Sequence, residues 1–197
     1  MKDVIKNLQG FFADHYEVDR KAWEHQYAKG HWEALRGLPE VGRYAVIIGY
    51  CRFFKPDASI LDVGCGEGVL LERLKNAGYV HYVGIDISQN AIARAKGKDH
   101  LYAEFHCSTA EAYVPARKFD IIVFNEVLYY LKDPCAVVDA LSRHLASNGI
   151  IIISWFDKNK KNVTFWKRLF AHSALLDRTQ VRNGQGHSWT ITVVRPR

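Results

Sequence analysis

Ile60-Leu61-Asp62-Val63-Gly64-Cys65-Gly66-Glu67-Gly68-Val69-Leu70 is an apolar run that stops at an acid and then places a glycine at every second position. It reads as a strand that breaks into a ligand-cradling turn. Without Cβ atoms such a turn can take positive φ and lie against a ligand's polar tail, with its N–H groups pointing inward. Leu70, Leu71 and Leu74 then open a helix. The dinucleotide fingerprint Gly-x-Gly-x-x-Gly is not met. Val69 stands where its third glycine belongs, and an acid ahead of the first glycine has no role in it.

A second feature lies downstream. Tyr82-Val83-Gly84-Ile85-Asp86-Ile87-Ser88 is a β-branched run ending in an acid, one β-loop-helix unit after the glycines, where a ribose-binding carboxylate belongs. A carboxylate there can accept from both ribose hydroxyls. Such an acid can also be a helix cap, but Ser88 is the better cap for a helix over Gln89 to Lys96, which leaves Asp86 free.

From Ser59 onward strands and helices alternate in the way that builds a parallel sheet. Strands are expected over Ser59 to Val63, His81 to Asp86, Ala103 to Cys107, Asp120 to Asn125 and Gly149 to Phe156. Helices are expected over Val69 to Asn76, Gln89 to Lys96, Ala110 to Tyr113, Cys135 to Leu145 and Val163 to His172. Asp133-Pro134 is a helix entrance, with acid as cap and proline in the first turn, and Asn148-Gly149 is expected to close that helix. Leu175 to Arg182 and Ser188 to Val194, around Asn183-Gly184-Gln185-Gly186, read as a hairpin.

The 197 residues suit a single domain. Within it, residues 1–58 are helical by pattern and rich in aromatics, among them Phe11, Phe12, Tyr16, Trp23, Tyr27, Trp32 and Tyr44, and residues 59–197 form the core. No apolar stretch reaches the ~20 residues that span a bilayer, and the N-terminus lacks a signal-peptide pattern, so a cytoplasmic location with no membrane partner is expected. Cys51, Cys65, Cys107 and Cys135 are too scattered for a zinc or disulfide framework, and His15, His25 and His31 lack helical metal-pair spacing. No metal is expected. The net charge of +6 includes Lys158, Lys160, Lys161, Lys167 and Arg168, which fit either a solvated face or a phosphate-bearing partner.

Asp62-x-Gly64-x-Gly66-x-Gly68 resembles motif I of the class I S-adenosylmethionine-dependent methyltransferases, and the resemblance runs over about residues 59–197. It implies a Rossmann-like α/β fold, a seven-stranded, mostly parallel sheet of order 3-2-1-4-5-7-6 ending in an antiparallel hairpin. It also implies S-adenosylmethionine as cofactor and S-adenosylhomocysteine as product. In that family the motif I acid holds the amino end of the methionine moiety and the glycines pass beneath it. Asp62, Gly64, Cys65, Gly66 and Gly68 are therefore cofactor candidates, with Asp86 for the ribose. Ile87 would pack on the adenine, Thr109 and Ala110 would border it, and the backbone of Asn125 would face the methionine. Relatives often carry an acid at the Thr109 position, for which a hydroxyl is a weaker substitute. The N-terminal segment covers the cofactor in such proteins, and Tyr27 and Arg43 are the candidates to reach its carboxylate.

Ligands of open α/β sheets sit at the carboxyl ends of the strands, so the acceptor belongs near Phe124-Asn125-Glu126-Val127-Leu128-Tyr129-Tyr130-Leu131. Glu126, Tyr129 and Tyr130 are the catalytic candidates, and the tyrosines equally fit plain packing at a helix start. Similar O-methyltransferases of quinone-type phenols carry an acid-histidine pair at the positions of Tyr129 and Tyr130, and this chain does not. The loop more closely resembles nodulation-type N-methyltransferases. A small-molecule acceptor, methylated on N or O, is the leading expectation. RNA methylation at a ribose or cap, or a SAM-binding partner protein without activity, are the alternatives. The order Asn125-Glu126-Val127-Leu128 is not the Pro-Pro-aromatic motif of base-amino methyltransferases.

Overall fold

The structure, a computed structural model, describes residues 20–74, 78–98, 100–157 and 163–197. Phe11, Phe12, Tyr16, His15, Lys158, Lys160 and Lys161 therefore lie outside the described residues.

The cover consists of α1 (Arg20–Ala28), a 3-10 helix at His31–Arg36 and α2 (Leu38–Phe54), which starts with Pro39 in its first turn. The core then runs β1 (Ala58–Val63), α3 (Val69–Leu74), β2 (Tyr79–Asp86), α4 (Gln89–Lys96), β3 (Ala103–Cys107) and β4 (Phe119–Asn125). A single 3-10 turn at Leu128–Tyr130 precedes α5 (Pro134–Ser142), β5 (Leu145–Phe156), α6 (Val163–His172), β6 (Ser173–Arg182) and β7 (Ser188–Pro196). The seven strands form one sheet in the order β3-β2-β1-β4-β5-β7-β6. The first five are parallel, and β7 runs antiparallel between β5 and β6.

Parallel strands covered on both faces need apolar side chains at consecutive positions. Ile121–Phe124 and Ile150–Ile153 meet that demand and are wholly buried. Their alternate residues serve opposite layers. Ile60, Ile121, Val123, Ile150 and Ile152 pack under α2, α3 and α4 through Ile47, Leu71 and Ile92. Leu61, Ile122, Phe124, Ile151 and Ile153 pack under α5 and α6 through Val138, Leu141 and Phe165. Among the described residues no helix is long and apolar enough to cross a membrane.

Two local expectations are corrected. The segment Ala110–Tyr113 forms a turn and not a helix. Thr109 Oγ1 accepts from Ala112 N at 3.1 Å, but so short a segment cannot offset the cost of helix nucleation. Asn148-Gly149 does not close a helix. α5 already ends at Ser142, and Asn148, at φ 60°, lies inside β5 where the pairing with β4 shifts register.

Candidate active site

A cavity of about 1150 Å³ opens at the carboxyl ends of β1, β2, β4 and β5 and is roofed by the cover. β1 lies between β2 and β4, so the chain turns in opposite directions on its two sides and leaves a crevice there. All the expected site residues except Gly68 border this cavity: Tyr27, Arg43, Asp62, Gly64, Cys65, Gly66, Asp86, Ile87, Thr109, Ala110, Asn125, Glu126, Tyr129 and Tyr130.

The glycine turn follows β1 with Gly64, Gly66 and Gly68 at φ 73°, 55° and 78°. These are left-handed conformations that a side chain strains. A Cβ on Gly64 would meet Val127 at 2.7 Å, and one on Gly66 would meet the Tyr27 hydroxyl at 2.8 Å. Gly68 instead stacks toward Phe105 behind the turn. The N–H groups do not point into the cavity, which corrects the expectation. Gly64 N and Cys65 N both donate to Ile85 O, at 2.8 and 2.9 Å, and Gly66 N donates to Asp86 Oδ2 at 2.9 Å. The cradle presents bare Cα faces.

Two buried acids flank this turn. Asp62 Oδ2 accepts from the Tyr82 hydroxyl at 2.5 Å, while Oδ1 is buried with no hydrogen-bond partner. Burial, with the charge of Asp86 adding to it, pushes its carboxyl up to about 7 despite the Tyr82 bond. Asp86 is not free, another correction: Oδ2 holds Gly66 N and Oδ1 holds Ser88 N at 2.9 Å. Burial pushes Asp86 to about 6 against those two bonds. Each oxygen retains a lone pair for a further donor. Ser88 caps α4 as expected, accepting from Ala91 N at 3.1 Å.

The other end of the cavity is built by the turn after β4. Glu126 sits at φ 62°, an uncommon conformation for a non-glycine residue, and its N–H donates to Ser154 O at 3.3 Å. That turn aims the carboxylate at β5, where Oε1 accepts from Ser154 Oγ at 2.7 Å and Oε2 from the Tyr129 hydroxyl at 2.9 Å. Burial pushes its carboxyl above the usual range. Arg43, 2% exposed, donates through Nη2 and Nε to Glu40 Oε2 at 2.7 and 3.2 Å and through Nη1 to Asn125 Oδ1. Of the two cover histidines among the described residues, His31 borders the cavity and His25 is exposed.

A family model described as a methyltransferase domain matches residues 38–191. The chain belongs to this methyltransferase family. S-adenosylmethionine is the cofactor of the family. A ubiquinone biosynthesis O-methyltransferase of Bradyrhizobium diazoefficiens is 35% identical over 106 residues, 52% of this chain and 42% of that protein. One from Rhodopseudomonas palustris is 32% identical over 124 residues, 57% of this chain and 49% of that protein. The chain thus spans less than half the length of these curated relatives. Among solved structures, the N-methyltransferase NodS of Bradyrhizobium japonicum, in complex with S-adenosylhomocysteine, aligns with a TM-score of 0.76. The identity is 21%, over 90% of this chain and 97% of that one. The 1,6-didemethyltoxoflavin-N1-methyltransferase of Burkholderia thailandensis aligns at 0.71, with 17% identity over 90% and 86%. At such identities the likeness is one of fold.

Several residues around this cavity were not visible as such in the sequence. Glu67, inside the glycine turn, is 3% exposed because it pairs with Arg36 of the cover and Arg94 of α4. Glu24 reaches from α1 to accept from Ser88 Oγ, Gln89 N and Asn90 N, at 2.7 to 3.0 Å, and so adds a second cap to α4. His187 and Trp189, contributed by β7 and the turn before it, also border the cavity. Their partners are distant in sequence, and only the apolar alternation of β7 hinted at them.

Proposed function

We propose that this protein is an S-adenosylmethionine-dependent methyltransferase that methylates an N or O atom of a small molecule, its 197 residues folding as one domain. The observation that carries the reading is the pairing of two acids with a bare glycine cradle. Asp62 offers an unpartnered buried oxygen to an ammonium, and Asp86 keeps a lone pair on each oxygen for two vicinal hydroxyls. The pair matches the two ends of an amino acid joined to a nucleoside.

When bound, the cofactor supplies a methyl group already activated on a sulfonium, so the protein has to align, enclose and deprotonate. In this assignment Asp62 holds the amino group, and Gly64, Cys65 and Gly66 form the floor. Asp86 takes the ribose, with Gly68 keeping α3 close behind the turn. Ile87, Thr109 and Ala110 border the adenine. Thr109 Oγ1 is already accepting from Ala112 N, so its remaining capacity is one lone pair and its own O–H. Tyr27, whose hydroxyl overlies Gly66, and Arg43, tied to Asn125, close the carboxylate end.

Glu126, Tyr129 and Tyr130 border the space left for the acceptor. The cover closes over part of this space, where its Trp23 meets Tyr130 at 5.1 Å between ring centroids. The small-molecule reading rests on this enclosure.

Calorimetric titration with S-adenosylmethionine and S-adenosylhomocysteine, with NAD as control, tests the assignment. Micromolar binding of both sulfur compounds and none of NAD is the expected result. Binding of NAD in preference to S-adenosylhomocysteine would sink it.

A further inference from the structure

Of the acids around the cavity, Asp62 and Asp86 lack an ion pair among the described residues but are given to the cofactor in the assignment above, which leaves Glu126. Glu40 is paired with Arg43 at 2.7 Å, Glu67 with Arg36 and Arg94, and Asp133 caps α5. Glu126 has no ion pair among the described residues, and its two oxygens are held by the neutral hydroxyls of Ser154 and Tyr129. The guanidinium of Arg43 is near enough to favour its charge, but its hydrogen bonds go to Glu40 and Asn125.

The walls around this carboxylate are aromatic. Tyr129 packs edge-on to Tyr130 at 4.5 Å and to Trp155 at 5.5 Å, and Trp23 closes on Tyr130 from the cover. All four border the cavity. With a hydroxyl acceptor the Glu126 carboxylate keeps only its two neutral hydroxyl partners and the more distant charge of Arg43, whereas a cation satisfies both the carboxylate and the negative faces of the rings.

The geometry points to an amine acceptor, bound as its ammonium cation between Glu126 and the aromatic wall of Trp23, Tyr129, Tyr130 and Trp155. This rests on the methyltransferase reading above and narrows its substrate class. An ammonium has no lone pair, so one proton must leave before transfer. Glu126, whose carboxyl is raised by burial, accepts it. The freed lone pair forms the N–C bond to the methyl carbon as the C–S bond breaks with its electron pair remaining on sulfur. The positive charge passes from sulfur to the methylated nitrogen, which sheds a proton to water or leaves as the ammonium. The proton on Glu126 returns to solvent as the product departs.

Calorimetry on the protein saturated with S-adenosylhomocysteine, using benzylamine and its neutral counterpart benzyl alcohol near neutral pH, tests this. Benzylamine should bind about tenfold more tightly, and Glu126→Gln should erase the preference while leaving affinity for S-adenosylhomocysteine within about twofold. The wild-type comparison stands by itself if the variant misfolds. Equal binding of the two probes, including binding of neither, overturns the inference, as does a preference that survives in a variant still binding S-adenosylhomocysteine. Failure of S-adenosylhomocysteine to bind, read before either probe is added, sinks the methyltransferase reading and this inference with it.

Discussion

Arg36 in the cover donates through Nη1 to Glu67 Oε2 at 3.0 Å, and this ion pair ties the roof of the cavity directly to its glycine floor. Glu67 Oε1 takes Arg94 at 2.7 Å, while Arg36 also reaches Glu72 at 2.8 Å. One carboxylate thus joins cover, turn and α4.

Glu67→Ala removes the carboxylate that Arg94 pairs with and one of the carboxylates held by Arg36, both guanidinium groups being partly open to water. The expected cost is about 2 kcal/mol for the lost charged hydrogen bonds, or a fall of about 4–8 °C in Tm for a domain of this size. Because the roof loses its tie to the glycine floor while keeping those to α3 and α4, affinity for S-adenosylhomocysteine should fall in parallel. Thermal unfolding together with calorimetry checks both, and an unchanged affinity would detach the roof from cofactor retention.

Gly66→Ala should destabilise for two separable reasons. The left-handed backbone costs a Cβ about 1–2 kcal/mol, and that Cβ meets the Tyr27 hydroxyl at 2.8 Å. In a Tyr27→Phe background the hydroxyl is gone and the next Tyr27 atom lies at 3.7 Å, so only the backbone cost remains. A double-mutant cycle in urea should therefore show Gly66→Ala to be less costly in the Phe background. Equal costs would show that the contact contributes nothing.

Asp62 titrates at about 7 in the folded protein, because burial outweighs the Tyr82 bond and the nearby Arg43, and Asp86 adds repulsion. Its ordinary value is about 3.9. Between these values the folded state keeps a proton that the unfolded chain has lost, so this group's contribution to stability declines as pH rises through the window. Asp62→Asn should gain on the wild type in Tm from about pH 4 to 7 and match it at lower pH. S-adenosylhomocysteine, whose amino group favours the carboxylate, should bind the wild type more tightly as pH rises over the same range. In the variant that slope should flatten to what Asp86 contributes.

Ser88→Ala removes the Oγ that both caps α4 and donates to Glu24 at 2.8 Å. A lost cap costs about 1 kcal/mol. Glu24→Ala should cost less in the Ser88→Ala background than alone, because the two side chains serve the same helix end. Denaturant melts of the four proteins measure that coupling.

The glycine turn, the Asp86 strand and the strands Ile121–Phe124 and Ile150–Ile153 were legible because each obeys a local rule: left-handed glycines, β-branched runs, an acid at a strand end. Asn148 misled for a related reason. Its left-handed φ is what a helix terminus uses, and a strand irregularity uses it too. The positions of the candidate residues Asp62 and Glu126 could be read because each stands at or just past a strand end, beside the cavity. The site was hidden where function depends on a distant partner. Glu67 reads as a solvated acid until Arg36 and Arg94 are folded against it, and no spacing announces that Ser154 will face Glu126.

The strand order divides labour along the sheet. Asp62 and Asp86 stand at the ends of β1 and β2 and Gly66 and Thr109 follow β1 and β3, whereas Glu126 follows β4 and Trp155 and Trp189 belong to β5 and β7. In the proposed assignment the first group is the constant handle and the second the variable tool head. Under the proposed assignment, directed evolution toward a new acceptor is confined to the strands from β4 onward and α6, with the ends of β1 to β3 left untouched as the grip on the methyl source.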